Sequence, residues 1–162
     1  MRKIVIACVA VFAASACGGS SHGVTGSSGA APSPSIQVTD TASVDAAIQR
    51  MAHAEHLLSH LSGGLASIEA QYRLAESDAR LAAQQLTPTP EGVPDAVARD
   101  AAVKFDAVAD ALEAVTDCLV SGEDCSAVTA DMRQKSNDAG VVTGQLIAYS
   151  TLTQDQVLAM IQ

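Results

Sequence analysis

The sequence predicts an all-α protein, a small antiparallel bundle of three to five helices. From residue 43 onward apolar residues recur every three or four positions, which is the repeat of one helix face. Apolar residues make up 48% of the 162 residues and aromatic ones only 2%, and 31 positions are alanine, which favours close helix packing over a β-sandwich. The length leaves room for one domain with one core once a leader and a linker are set aside.

The leader is predicted to be a signal peptide, residues 1–16. Arg2 and Lys3 precede an apolar run over residues 4–14. As a helix this run is about 16 Å long at roughly 1.5 Å per residue, whereas the hydrocarbon core of a bilayer is roughly 30 Å thick. The run is therefore too short to span a membrane and fits a segment that is removed after export.

The end of the leader resembles the lipobox of bacterial lipoproteins, in which small residues precede an obligatory cysteine. Here the four residues are Ala14, Ser15, Ala16 and Cys17. The resemblance implies that Cys17 receives a diacylglyceryl group, becomes the first mature residue and anchors the protein on the extracytoplasmic face of the cell membrane. The family most often has Leu where Ala14 stands. Ala14 and Ala16 also fit an ordinary secretory cleavage site, which would release a soluble protein with a free thiol.

Residues 17–41 are predicted to form a flexible tether before a helical domain at residues 42–162. The tether is composed largely of Gly, Ser, Thr, Ala and Pro, so it buries too little apolar surface to offset the entropy of ordering it. As a coil it spans roughly 25–30 Å. His22 lies in this segment, where a solvated side chain is expected.

The acidic charge excludes nucleic acid as a partner. Without Arg2 and Lys3 the mature chain keeps seven basic residues against 18 acidic ones, a net charge of −11. Nucleic-acid binding depends on Lys and Arg that displace counterions, and anionic headgroups are unfavourable for the same reason. Any membrane attachment must therefore come from apolar insertion or from a lipid, which the resemblance places on Cys17.

The first helical seam, meaning the line of apolar residues along one helix face, crosses a pair of glycines, Gly63 and Gly64. Paired glycines normally end a helix, which would give two helices joined by a tight turn. The apolar register nevertheless continues through them without a slip, so one long kinked helix is the alternative. The members of this seam are Val44, Ile48, Met51, Ala54, Leu58, Leu61, Leu65, Ile68, Tyr72, Ala75, Ala79, Ala82 and Leu86.

Three further helices follow the proline-rich break at residues 87–92. Pro94 is predicted as the first helical residue of the next one, with Asp95 beside it and Gly122 after its end. A capping box at residues 153–156 predicts a short last helix. The two seams between these points are Val97, Ala101, Phe105, Val108, Leu112, Val115 and Leu119, then Val128, Met132, Ala139, Val142, Leu146 and Tyr149.

The cysteines predict one disulfide. Cys8 leaves with the leader and Cys17 carries the lipid, so Cys118 and Cys125 remain as a pair. Such a pair is expected to oxidise outside the cytoplasm, where it would join the end of one helix to the start of the next. Its spacing is not Cys-x-x-Cys, which favours a structural role over a redox-active one.

Three histidines form the one unusual cluster. His53, His56 and His60 lie within about a 60° sector of a helix, opposite the apolar stripe, whereas Glu55 falls near that stripe. An exposed polar face is one interpretation. The other is a site for Zn²⁺, Cu²⁺ or Ni²⁺, with His56 and His60 one turn apart as the best chelating pair.

No catalytic motif is found, so the chain is expected not to be an enzyme. The segment from His56 to His60 has the spacing of a zinc-protease helix, but Leu57 stands where the general base should be. Serine-nucleophile elbows and phosphate loops are also missing. We expect a lipid-anchored envelope protein without a cofactor, whose head binds a protein partner or small ligand. Transition-metal binding by His53, His56 and His60, with Zn or Cu, is the alternative.

Overall fold

The structure confirms the predicted all-α fold. It is a computed structural model that describes residues 41–162, with side chains from Ser43 onward. The predicted signal peptide, Cys17, His22 and nearly all of the predicted tether lie outside the described residues. All regular elements of the described part are helical: α1 Thr41–Ser59, α2 Leu65–Gln85, α3 Asp95–Ser121, α4 Ser126–Leu146, a 3₁₀ turn Ile147–Tyr149, and α5 Gln154–Ile161.

The helices form an antiparallel bundle in which α1 packs against α2, α2 against α3 and α3 against α4. Helix α4 also contacts α1, and α5 returns to pack on α1. Large buried side chains come from α1, α3 and α4, from Tyr72 in α2 and from Leu86 directly after α2, with alanines filling the space between them. The largest that are at most 2% exposed are Phe105, Ile48, Leu86, Leu112 and Leu146. Small side chains at the interfaces let the helix backbones approach closely.

A tight turn separates α1 from α2, so the single kinked helix is wrong. Gly63 has a φ of +98°, and a Cβ there would lie 2.8 Å from the side-chain oxygen of Ser67. Both facts favour glycine at this position. The Ser67 hydroxyl and the Gln71 amide donate to the carbonyl oxygen of Ser62, which fixes the turn. Leu65 continues the predicted seam but is 58% exposed, because the turn reorients the chain.

The ends of α3 and α5 follow their local sequence signals, with one correction. Pro94 is not the first helical residue: it is the N-cap, with an extended ψ of 133°, and its carbonyl accepts the first amide bonds of α3. Proline fixes φ but leaves ψ free, so it fits the flanking position as well. Gly122 ends α3 in the left-handed conformation, with φ +73°. Thr153 and Gln156 form the predicted capping box of α5.

Candidate functional site

Asp78 is a buried carboxylate at the interface between α1 and α2. It is 2% exposed and lies between Ala75 and Ala79, which are completely buried. Within residues 43–162 the other buried polar residue is Thr116, whose hydroxyl donates to the carbonyl of Leu112 in its own helix. Asp78 therefore differs from Thr116, because the partners of its carboxylate lie on another helix.

Those partners are two α1 side chains three residues apart. Nη1 of Arg50 donates to Oδ1 of Asp78 at 2.7 Å, and Nδ1 of His53 lies 2.6 Å from Oδ2. The side chains of Arg50 and His53 are half exposed, 50% and 52%. The guanidinium is always charged, so its contact offsets part of the cost of burying a carboxylate.

This cluster borders an open hollow of about 280 Å³, lined by Ala46, Gln49, Arg50, His53 and Asp78. A second hollow of about 310 Å³ lies along α2 beside Arg80 and Gln84. Both are open to solvent and edged by polar side chains. Such surfaces suit a charged group or a protein surface better than a small apolar ligand, which needs an enclosed cavity.

His56 and His60 lie next to each other at the end of α1. Their ring centroids are 4.3 Å apart and the ring planes are inclined by 31°. Nδ1 of His56 is 3.2 Å from the carbonyl oxygen of Ile161 in α5, and Nδ1 of His60 is 2.9 Å from the carbonyl oxygen of His56. The predicted polar face is thus exposed at His53 and His60, whereas His56 is half-buried.

The structure does not bring the three histidines together as one ligand set. Nδ1 of His53 is engaged by Asp78, while His56 and His60 contact each other. In the part of the chain that the structure describes, no group of three or more His, Cys, Asp or Glu side chains is placed to hold a metal ion. His56 and His60 therefore form a pair of their own, and His53 belongs to the Asp78 cluster.

Glu55 is a half-buried carboxyl group on α1. Removal from water raises its pKa from the ordinary 4.5 to about 7. Among residues 43–162 it has no hydrogen-bond or ion-pair partner that would favour the charged form. The sequence analysis placed Glu55 near the apolar stripe, and its burial is consistent with that position.

The predicted disulfide is present. Cys118 in the last turn of α3 is bonded to Cys125, the residue before α4, with a Cα–Cα distance of 5.7 Å. The residues between them include the exposed Gly122, Glu123 and Asp124. The bond therefore closes a short surface loop around the end of one helix and the start of the next.

Sequence reasoning missed a second charged cluster around Arg80. This guanidinium lies 3.1 Å from Glu76 on its own helix and contacts Asp110 at 3.2 Å and Glu113 at 2.8 Å on α3. The hydrogen bond from Arg80 to Glu76 is the main factor that raises the pKa of the guanidinium. The cluster therefore connects α2 to α3 by charged contacts at the surface.

Comparison with protein-family models, with curated proteins and with solved structures gives no match for this chain. Of the helices between Thr41 and Gln162, none combines the length and the apolar character that crossing a bilayer requires.

Proposed function

We propose that this protein is a lipid-anchored extracytoplasmic protein of the bacterial envelope, with a non-enzymatic helical domain that binds a protein partner. The disulfide between Cys118 and Cys125 is the observation that supports this most directly. Cytoplasmic thiols are kept reduced, and structural disulfides belong to exported proteins. The other two cysteines, Cys8 and Cys17, both fall in the segment that resembles a lipoprotein leader.

The charge of the chain supports a lipid as the means of attachment. An acidic mature chain gains nothing from anionic headgroups, so a covalent anchor must hold it at the membrane. A diacylglyceryl group on Cys17 supplies two acyl chains, and two chains anchor stably where one is marginal. A tether of residues 17–41 would let the domain stand clear of the bilayer and meet a partner.

The two open polar hollows favour a protein partner over a small apolar ligand. The first of them presents Gln49, Arg50 and His53 beside the Asp78 carboxylate. Half-exposed polar side chains around a charged centre can make hydrogen bonds at a protein interface, where Arg is enriched.

The anchoring is tested by the intact mass of the full chain, produced in a bacterium that processes lipoproteins and extracted from its membranes with detergent. We expect a mature protein that begins at Cys17 and carries fatty acyl mass on it. Cys17→Ala should lose both the acyl mass and the membrane fraction, whereas the matched control Cys8→Ala should keep them. A mature protein that starts elsewhere, or one without acyl mass, contradicts the proposal.

The binding role needs a separate test in intact cells. A photoreactive residue in place of Gln49 or Gln84 puts a cross-linker at each hollow. A discrete protein adduct that requires the Cys17 anchor supports a membrane-side partner. Absence of adducts from both positions contradicts the partner role. It does not affect the result of the anchoring test.

A further inference from the structure

The histidine pair at the end of α1 has the outer contacts that metal-binding histidines usually have. Metal-ligating imidazoles commonly donate their second ring N–H to a carboxylate or a backbone carbonyl, which fixes the tautomer and the ring orientation. Here Nδ1 of His56 faces the carbonyl of Ile161, and Nδ1 of His60 faces the carbonyl of His56.

These contacts determine which nitrogen is available. A carbonyl oxygen only accepts, so both Nδ1 atoms carry the hydrogen, and in the neutral rings the lone pair lies on Nε2. No Nε2 hydrogen bond is made by either ring within residues 43–162. Ser59 completes the arrangement, because its hydroxyl donates to the carbonyl of His56 at 3.0 Å and lies 2.9 Å from Nδ1 of His60.

The two rings are also close enough to act together. They are one helical turn apart in sequence, and their centroids are separated by 4.3 Å. The same spacing of two histidines on a helix supplies two zinc ligands in metalloprotease motifs. Helix α5 restrains His56 through Ile161. Less side-chain entropy is therefore lost when this ring binds a metal ion.

We propose that His56 and His60 bind one divalent transition-metal ion through their Nε2 atoms, and that His53 is not a ligand. Imidazole nitrogens suit Cu²⁺, Ni²⁺ and Zn²⁺, and Cu²⁺ binds most tightly in the general order of affinities. Water completes the coordination, since the structure gathers no third ligand. The site differs from the three-histidine site that the sequence suggests.

The test is calorimetric titration of the full mature chain with Cu²⁺ and with Zn²⁺. All samples carry Cys17→Ala, so that no free thiol competes, and keep the Cys118–Cys125 disulfide oxidised. We expect one ion per chain at micromolar metal, with tighter binding of Cu²⁺. His60→Gln and His56→Gln should each weaken binding at least about tenfold, while His53→Gln and the tether control His22→Gln change it less than about twofold.

His60→Gln is the decisive variant. His60 is exposed and follows the end of α1, so replacing it leaves the core intact. Circular dichroism of each variant checks that the helices remain. Nitrogen couplings in the electron paramagnetic resonance spectrum of the Cu²⁺ complex count the imidazole ligands, and two are expected. Unchanged affinity in His60→Gln overturns the proposal. So does an equal loss in His53→Gln, or the absence of binding at micromolar metal.

Discussion

Nδ1 of His53 lies 2.6 Å from Oδ2 of Asp78, which makes a half-exposed ring on α1 the partner of a buried carboxylate on α2. Arg50, one turn earlier on α1, donates a hydrogen bond to the other carboxylate oxygen, Oδ1. Among the described residues of α1 and α2, the other buried side chains are alanines and larger apolar groups. This cluster is therefore a directional contact that helps to set how α1 lies against α2.

Replacing Asp78 should destabilise the fold. We expect Asp78→Ala to lower the free energy of unfolding by about 1–3 kcal/mol, because the contacts with Arg50 and His53 and the buried side-chain volume are lost. Arg50 and His53 are half exposed and can be hydrated, which keeps the loss below that of a fully buried pair. Urea denaturation measures it. Asp106→Ala, at an exposed α3 position, should stay within about 0.5 kcal/mol; equal effects at the two positions contradict the assigned role.

Glu55 should make stability fall as the pH rises. Its pKa is about 7 in the folded protein and 4.5 in its ordinary state. Between these values the folded chain keeps a proton that the unfolded chain has lost, so folding is favoured at the acidic end and this advantage disappears by about pH 7.

Glu55→Gln should remove that dependence and raise the free energy of unfolding at pH 8 by about 1–3 kcal/mol, a range reduced for the partial exposure of the side chain. Urea titrations at pH 5 and pH 8 compare the variant with the unmodified chain, which cancels the titration of the histidines. Glu123→Gln, at an exposed loop position, is the matched control. If the unmodified chain instead becomes more stable relative to Glu55→Gln between pH 5 and pH 8, the result contradicts a pKa of Glu55 that is raised by burial.

The disulfide should contribute measurably to stability. In the chain-entropy account, closing a loop of about eight residues stabilises the fold by about 2.5 kcal/mol. The double variant Cys118→Ser with Cys125→Ser should lose about this amount in thermal or urea unfolding. A reductant should lower the Tm of the unmodified chain to that of the variant. A Tm that is insensitive to reductant contradicts the prediction.

The capping box should stabilise α5 locally. Thr153 accepts a hydrogen bond from the backbone of Gln156, and the Gln156 side chain accepts one from the backbone N–H of Thr153. Thr153→Ala should cost about 1 kcal/mol and speed amide exchange in α5 more than in α2 or α3. Gln154→Ala, beside it and exposed, is the control; faster exchange throughout the bundle would show a global effect.

The helices were predictable because their signals are local. Phe105, Val108 and Leu112 are spaced as one helix face, and all three are buried as that spacing predicts. The same reasoning failed at Leu65, which fits the register of the first seam yet lies beyond a glycine turn that reorients the chain. Periodicity identifies a helix face but does not show whether the helix continues.

The charged contacts could not be predicted in the same way, because they depend on how two helices are rotated against each other. Asp78 is separated from its partners Arg50 and His53 by 28 and 25 residues. The carbonyl that faces His56 is 105 residues away in the chain. The available signal for Asp78 was an acidic residue between two seam alanines, which indicates burial but not the identity of the partner.

The covalent bond around the α3–α4 loop also determines what a backbone cut would do there. Glu123 and Asp124 are exposed and lie between the bonded cysteines, so an endoprotease specific for acidic residues can reach them. The nicked product would still migrate as one molecule, and its two fragments would separate only after reduction and denaturation. At this point of the surface, cleavage of the polypeptide and loss of the C-terminal third of the domain are different events.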